Sequence, residues 1–266
     1  MPTLEATVLA RPVSRARAAW RAVRLIAHVA AGLWTVWRHF PHGDEAIRAD
    51  RIQAWAARAL AVLGVALRVE GQPPTHGPVL VVANHVSWLD ILAIDAARPC
   101  RFVAKADVRH WPLLGRLVAG AGTLFIERDR KRDALRVVHH LAERLQAGDV
   151  LAVFPEGTTS DGRSVLPFHA NLLQAALATG TPVQPLGLAY RPRAAAPEAL
   201  ARHDAPVYVG DDTLLASVWR VLRAHDVAVH LRWGEPQTAD GRDRRAWAAD
   251  LRAEVARLAG LPPPPA

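Results

Sequence analysis

In the stretch "NHVSWLDI", residues 84–91, a histidine and an aspartate stand five positions apart among small and apolar residues. An imidazole such as that of His85 can take a proton from a hydroxyl, while the carboxylate of Asp90, placed on the other ring nitrogen, would fix the tautomer and stabilise the imidazolium. On one continuous helix the two side chains would diverge by about 140°, so they meet only if His85 sits in a loop and Asp90 in the first turn of the helix that follows. Ser87 then falls at the helix start. Ser87-x-x-Asp90 also fits a capping box in acidic form, a purely structural use of the same aspartate. These residues alone leave both readings open.

The usual third partner of such a pair is a serine or cysteine nucleophile, and the chain has no Gly-x-Ser-x-Gly elbow. A base with an orienting carboxylate and no nucleophile calls for a substrate that brings its own hydroxyl. Cys100 is the only cysteine, which excludes an intrachain disulfide and a cysteine-based zinc site. The default compartment is cytoplasmic or cytoplasm-facing.

The pair must be positioned by a sheet. "PVLVVAN" (78–84), "RFVAKA" (101–106), "TLFIER" (123–128), "VLAVFP" (150–155), "TPVQPLGLAY" (181–190) and "VAVHLRW" (227–233) read as strands. "WLDILAIDAA", "PLLGRLVAGA", "RDALRVVHHLAERLQAG" and "NLLQAALATG" read as the helices between them, with further helices near Leu214–Ala224 and Arg244–Ala259. This alternation predicts an α/β fold with a mainly parallel central sheet flanked by helices. In such a sheet the strand C-termini share one edge, where ligands bind. Asn84-His85, Glu127-Arg128 and Glu156-Gly157 each follow a predicted strand, so three polar sets converge on one cleft.

Two helical runs precede the sheet. The segment between Arg24 and Arg38 is thirteen residues long; as a helix it would extend about 20 Å, short of the roughly 30 Å hydrocarbon core of a bilayer. Its spacing puts Ile26, Val29, Leu33, Val36, Trp37 and Phe40 on one face and Arg21, Arg24, His28, Thr35, Arg38 and His39 on the other, the pattern of a helix lying in a lipid headgroup region or covering the protein's own core. A second run extends from Ile52 to Leu67. The expected organisation is a basic segment over 1–20, a membrane-associated two-helix element over 21–70, an α/β domain over 71–260 and a disordered proline-rich tail over 261–266. The N-terminus lacks the pattern of a cleaved secretory signal.

The chain has 266 residues, 51% of them hydrophobic, and a formal net charge of +8, almost all of the positive charge being arginine. Such a length buries a sizeable core. The charge suits an anionic partner, and by itself does not distinguish nucleic acid, a phospholipid surface or a phosphorylated substrate.

"NHVSWLD", "GTLFIER" (122–128), "FPEGTTS" (154–160) and the Pro182-containing "TPVQPL" resemble, in order and spacing, the four sequence blocks of the glycerolipid acyltransferases typified by 1-acyl-sn-glycerol-3-phosphate acyltransferase. "AKADVRHWPLLG", with Lys105, Pro112 and Gly115, is similar to that family's connection between its first two blocks. The resemblance covers roughly residues 50–235. It implies that His85 deprotonates the acceptor hydroxyl, that Asp90 orients His85, and that the alkoxide attacks the thioester of acyl-CoA or acyl-ACP with no metal and no cofactor. It places Lys105, Glu127, Arg128, Glu156, Gly157 and Thr158 on the acceptor side and Pro182 on the donor side. The implied partners are a membrane phospholipid surface, a lysolipid acceptor and the carrier protein or CoA, not nucleic acid, at the cytoplasmic face of a bacterial-type inner membrane.

Two departures bear on the acceptor, for which the resemblance implies 1-acyl-sn-glycerol-3-phosphate first. Many lysophosphatidate enzymes have arginine where this chain has Thr159, and often lysine where it has His169, so two phosphate-neutralising charges are absent or weakened, with Arg163 a candidate substitute. A related group acylates lyso-ornithine lipid, whose hydroxyl lies on an amide-linked fatty acid, and its third block can read "FPEGTTSDG" as here. Other classes are a non-enzymatic membrane or nucleic-acid binder using the arginine surface, and a hydrolase that passes the acyl group to water.

Overall fold

The computed structural model describes residues 12–41, 43–126, 131–194 and 201–264. Helix α1 runs Arg15–His39, started by Ser14, whose side chain accepts from Arg17 N–H, and α2 runs Glu45–Leu63, started by Asp44. Gly64 then takes a left-handed conformation, φ 82°, and stops α2. The second helical run therefore ends four residues before the expected Leu67. Residues Val65–Glu70 form strand β1, which belongs to the sheet and not to the two-helix element.

The remaining elements follow in alternation. They are β2 (Val79–Ala83), α3 (Leu89–Ala97), β3 (Arg101–Lys105), α4 (Leu114–Gly120), β4 (Leu124–Ile126), α5 (Lys131–Gln146), β5 (Val150–Val153), α6 (Gln174–Thr179), β6 (Val183–Pro192), α7 (Leu214–Arg223), β7 (Val227–Trp233) and α8 (Arg244–Ala259). The strand order is β1-β7-β6-β2-β5-β3-β4. All neighbours pair in parallel except β6 and β7. Strand β6 thus joins a parallel half holding the motifs to an outer parallel pair built from β1 and β7.

Alternate residues of the central strands feed two cores, as the two-residue period requires. On one face Val79, Val81 and Ala83 of β2 pack with Leu60 and Leu63 of α2, Leu89 and Ile94 of α3, and Val221 of α7. On the other, Leu80 and Val82 pack with Leu141 and Leu145 of α5, Ala176 of α6, and Trp247 and Leu251 of α8. Helix α2 therefore contributes to the main core. The tail begins in contact with the domain: Leu261 N–H donates to Ala256 and its side chain packs on the second core.

Helix α1 presents its faces differently from the expectation. His28 and Arg21, expected on a polar outer face, turn inward: His28 stacks on Trp55 of α2 with ring centroids 4.9 Å apart, and Arg21 donates to the carbonyls of Leu222 and Ala224 at the C-terminal end of α7. Burial and the nearby Arg58 lower the pKa of His28 against the pull of its bond to Trp55 O. Val29, Leu33 and Val36 are half-buried, whereas Ile26 and Trp37 point outward with Trp20, Val23 and Trp34. Gly32 permits this crossing, since a Cβ there would lie 2.5 Å from the Trp55 indole nitrogen. Among the described residues no helix is long and apolar enough to cross a membrane.

Candidate active site

Strand β2 delivers Asn84 and His85 to the C-terminal edge of the sheet. Asn84 is buried and replaces a ladder rung with its side chain: Nδ2 donates to Leu188 O at 2.9 Å and Oδ1 accepts from Leu188 N–H at 2.8 Å. The chain can thus leave the sheet while β6 stays paired. After the turn through Val86 and Ser87, Asp90 falls in the first turn of α3, where the helix dipole favours a carboxylate.

His85 Nδ1 and Asp90 Oδ2 are 2.8 Å apart. The same oxygen accepts from Val86 N–H at 2.7 Å and Ser87 N–H at 2.9 Å, and Oδ1 accepts from the Tyr190 hydroxyl at 2.6 Å. Ser87 Oγ in turn accepts from Leu89 N–H. Capping and orientation are therefore one arrangement: the carboxylate that ties down the turn also faces the imidazole. With Asp90 fully buried and accepting, Nδ1 carries the proton and Nε2 keeps its lone pair. Burial first, then the neighbouring carboxylate, push the Tyr190 hydroxyl well above its ordinary pKa, so it remains a donor. The His85 ring lies flat on Phe154, with centroids 3.9 Å apart and planes 9° from parallel, and its side chain keeps 17% exposure.

The segment after β5 holds the backbone of His85 at both ends. Glu156 Oε1 accepts from His85 N–H at 2.6 Å and Oε2 from Leu166 N–H at 2.8 Å. Ser160 donates to the His85 carbonyl twice, from N–H at 2.7 Å and from Oγ at 3.1 Å. Gly157 makes the intervening turn with φ 72°. Burial raises the Glu156 carboxyl to about 7, opposed by its two backbone donors and by His85. Both carboxylate oxygens are thus engaged within the fold, which makes Glu156 a brace for His85; its expected place is on the acceptor side.

The other expected site residues are distributed as follows. Thr158 is exposed on the turn beyond Gly157. Lys105 ends β3, its backbone in register with Ile126 of β4. Glu127 and Arg128 lie outside the described residues, directly after the point where β4 reaches the same sheet edge. Pro182 is not brought to this edge. It precedes β6 and accepts from Leu80 N–H beside the start of β2, at the opposite end of the sheet from His85. A donor-side role in direct contact with the reacting atoms is incompatible with that position.

Tyr190, Ser160 and Phe154 complete the site and are not singled out by the sequence, whereas Asn84, expected at the cleft with His85, is used to hold β6. The alternation of β6 marks Tyr190 as core-facing, but only the adjacency of β6 and β2 shows that its hydroxyl meets Asp90. Ser160 Oγ is committed to the His85 carbonyl and to Gly162 N–H, and Ser87 Oγ to Leu89 N–H. Neither is bonded to the imidazole. Fold and site together place, at the C-terminal edge of a mainly parallel sheet, a part-exposed histidine whose ring is oriented by a buried carboxylate.

An acyltransferase family model matches residues 66–189. The chain is 41% identical over 253 residues to a lyso-ornithine lipid O-acyltransferase of Pseudomonas aeruginosa, covering 93% of this chain and 95% of that protein. It is also 41% identical over 165 residues to a 1-acyl-sn-glycerol-3-phosphate acyltransferase of Neisseria gonorrhoeae, covering 62% of each. The crystal structure of a 1-acyl-sn-glycerophosphate acyltransferase from Thermotoga maritima shares the fold, with a TM-score of 0.58 at 20% identity over 90% of this chain and 97% of that one. The chain belongs to the glycerolipid acyltransferase family and is an acyltransferase.

Proposed function

We propose that this enzyme moves a fatty acyl group from an acyl-ACP or acyl-CoA thioester to the free hydroxyl of lyso-ornithine lipid. The observation that carries the chemistry is the pairing of His85 Nδ1 with the buried Asp90 at 2.8 Å, which leaves Nε2 as the base. Nε2 takes the acceptor's hydroxyl proton as the oxygen attacks the thioester carbonyl. The C–O bond forms, the C–S bond breaks, and the departing thiolate takes the proton from the imidazolium held by Asp90. The backbone brace from Glu156 and Ser160 keeps the ring in place through both transfers.

Thr159 and His169 stand where lysophosphatidate enzymes commonly carry cations, and the Pseudomonas relative matches nearly end to end. Both support the amino-acid lipid as acceptor. Lysophosphatidate is the second reading, supported by the Neisseria relative. The outward stripe of Trp20, Val23, Ile26, Trp34 and Trp37 on α1 supports a peripheral station on the lipid surface at the cytoplasmic face, with the basic flanks Arg15, Arg17, Arg24 and Arg38 meeting anionic headgroups.

The test is to incubate the purified protein with acyl-ACP and acyl-CoA against lyso-ornithine lipid and lysophosphatidate, reading products by mass. Diacylated ornithine lipid is expected. Thioester consumption without any acylated lipid would make the protein a hydrolase and end this reading.

A further inference from the structure

A cavity of about 350 Å³ opens beside the dyad, on its β6 side, between the turn Asp161–Arg163, the second half of β6 and the chain leaving α8. Val86 and Tyr190 line it, so its wall is one residue from His85 and includes the ring whose hydroxyl holds Asp90. Gly162 closes the turn against Val86 with φ 69°, and Ser160, next to Asp161, is bonded to the His85 carbonyl. The cavity and the base are therefore parts of one rigid assembly.

The polar part of the wall has mixed charge. Arg202 spends Nη2 on Asp161 O at 2.7 Å and on Asp204 Oδ1 at 3.1 Å, while its Nη1 is buried with no hydrogen-bond partner among the described residues. Asp161 accepts its own turn's Arg163 N–H at Oδ1, and its Oδ2 lies 3.5 Å from Arg163 Nε on an open surface where both side chains are more than half exposed. Arg220, in the adjoining cleft, is already paired bidentately with Asp212. Arg202 and Asp161 thus border a single cavity together with Arg163 and Arg191, so its wall offers both signs of charge to a molecule carrying both.

We propose that this cavity receives the zwitterionic amino-acid headgroup of the acceptor, with the Arg202 guanidinium turning to donate to its carboxylate and Asp161 accepting from its ammonium. The proposal rests on the lyso-ornithine reading above. In that acceptor the carboxylate carbon lies six bonds from the reactive oxygen and the side-chain ammonium nine, about 7 Å and 11 Å when extended. Those spans suit a headgroup bound next to Val86 while the hydroxyl reaches His85. The cavity has the volume usual for small-molecule sites.

The test uses the full chain with two acceptors, lyso-ornithine lipid and its norvaline analogue, which keeps the carboxylate and lacks the ammonium. The wild type is expected to favour the ornithine form at least tenfold in kcat/KM. Asp161→Asn is expected to lose that preference, Asp161→Glu to recover part of it, and Arg202→Lys to raise the KM for both acceptors tenfold or more, the thioester KM staying within twofold throughout. Thermal melting checks that each variant folds. A preference kept by Asp161→Asn, or a loss that falls on the thioester KM, overturns the headgroup site while leaving the proposed reaction standing. A wild type that acylates lysophosphatidate and ignores both amino-acid lipids overturns the reaction and the headgroup site together, and the wild-type data alone reveal that outcome.

Discussion

The Tyr190 hydroxyl donates to Asp90 Oδ1 at 2.6 Å, occupying the carboxylate oxygen that His85 does not use. Tyr190→Phe would leave that oxygen buried with no donor, a loss of about 1–3 kcal/mol for such a group. A lower unfolding midpoint in urea and a kcat reduced about tenfold are expected, read by fluorescence and by product mass. His85→Ala should fold normally and lose about 10²- to 10⁴-fold in kcat, the usual worth of a positioned base. Full activity in a folded His85→Ala protein would end the base assignment.

Glu156 makes a separate prediction because both its oxygens accept backbone N–H groups. In Glu156→Gln the amide oxygen can serve only one of them, and the NH₂ would face the other. The loop carrying His85 should loosen, so kcat should fall about 10- to 100-fold while the KM for the acceptor stays near the wild-type value. A rise in acceptor KM with unchanged kcat would return Glu156 to direct substrate contact.

A pH effect on stability follows from Asp95, which is buried and accepts from Cys100 N–H. Burial pushes its carboxyl from 3.8 up to about 8, outweighing that hydrogen bond. The folded state holds this proton more tightly than the unfolded chain, so the stability it contributes is full below pH 4 and is lost as pH rises toward about 8. Within that window the slope is about 1.4 kcal/mol per pH unit. Asp95→Asn should flatten it, since the amide oxygen can still accept from Cys100. Urea unfolding at several values across the window checks the slope, and an unchanged slope in the variant would refute it.

The outer face of α1 yields a fourth test. Trp34 and Trp37 are 60% and 68% exposed on the stripe shared with Trp20, Val23 and Ile26. Trp34→Ser with Trp37→Ser should lower co-sedimentation with anionic phospholipid vesicles at least tenfold and leave turnover of detergent-dispersed acceptor within twofold. Equal binding by the variant would remove α1 as the lipid contact.

Local patterns in the sequence carry the alternation of strands and helices, the position of His85 in a loop and of Asp90 in the next helical turn. What they do not carry depends on which elements become neighbours. "VALRVE" continues the apolar run of α2 across Gly64, and its six residues become a strand because β7 offers it a partner. His28 and Arg21 find inward partners on α2 and at the C-terminal end of α7, which frees Trp34 and Trp37 to face outward, and no helical period reveals that choice. Glu156 stands at a strand end like a ligand-facing residue, and turns inward because the His85 and Leu166 amides need an acceptor there. Tyr190 reaches Asp90 only because β6 lies beside β2.

The pairing of β1 with β7 makes an early strand wait for a partner made much later. Val65 and Val227 are in register, yet about 160 residues separate them, and a ribosome adding 5–20 residues per second takes roughly 8–30 s to make that stretch. For that interval β1 lacks its β7 partner, and for much of it His85 and Asp90 exist without Tyr190, which donates to Asp90, or Ser217, which accepts from Trp88. His85 and Asp90 are made well ahead of Tyr190 and Ser217, and the arrangement around them is complete only once those residues have followed.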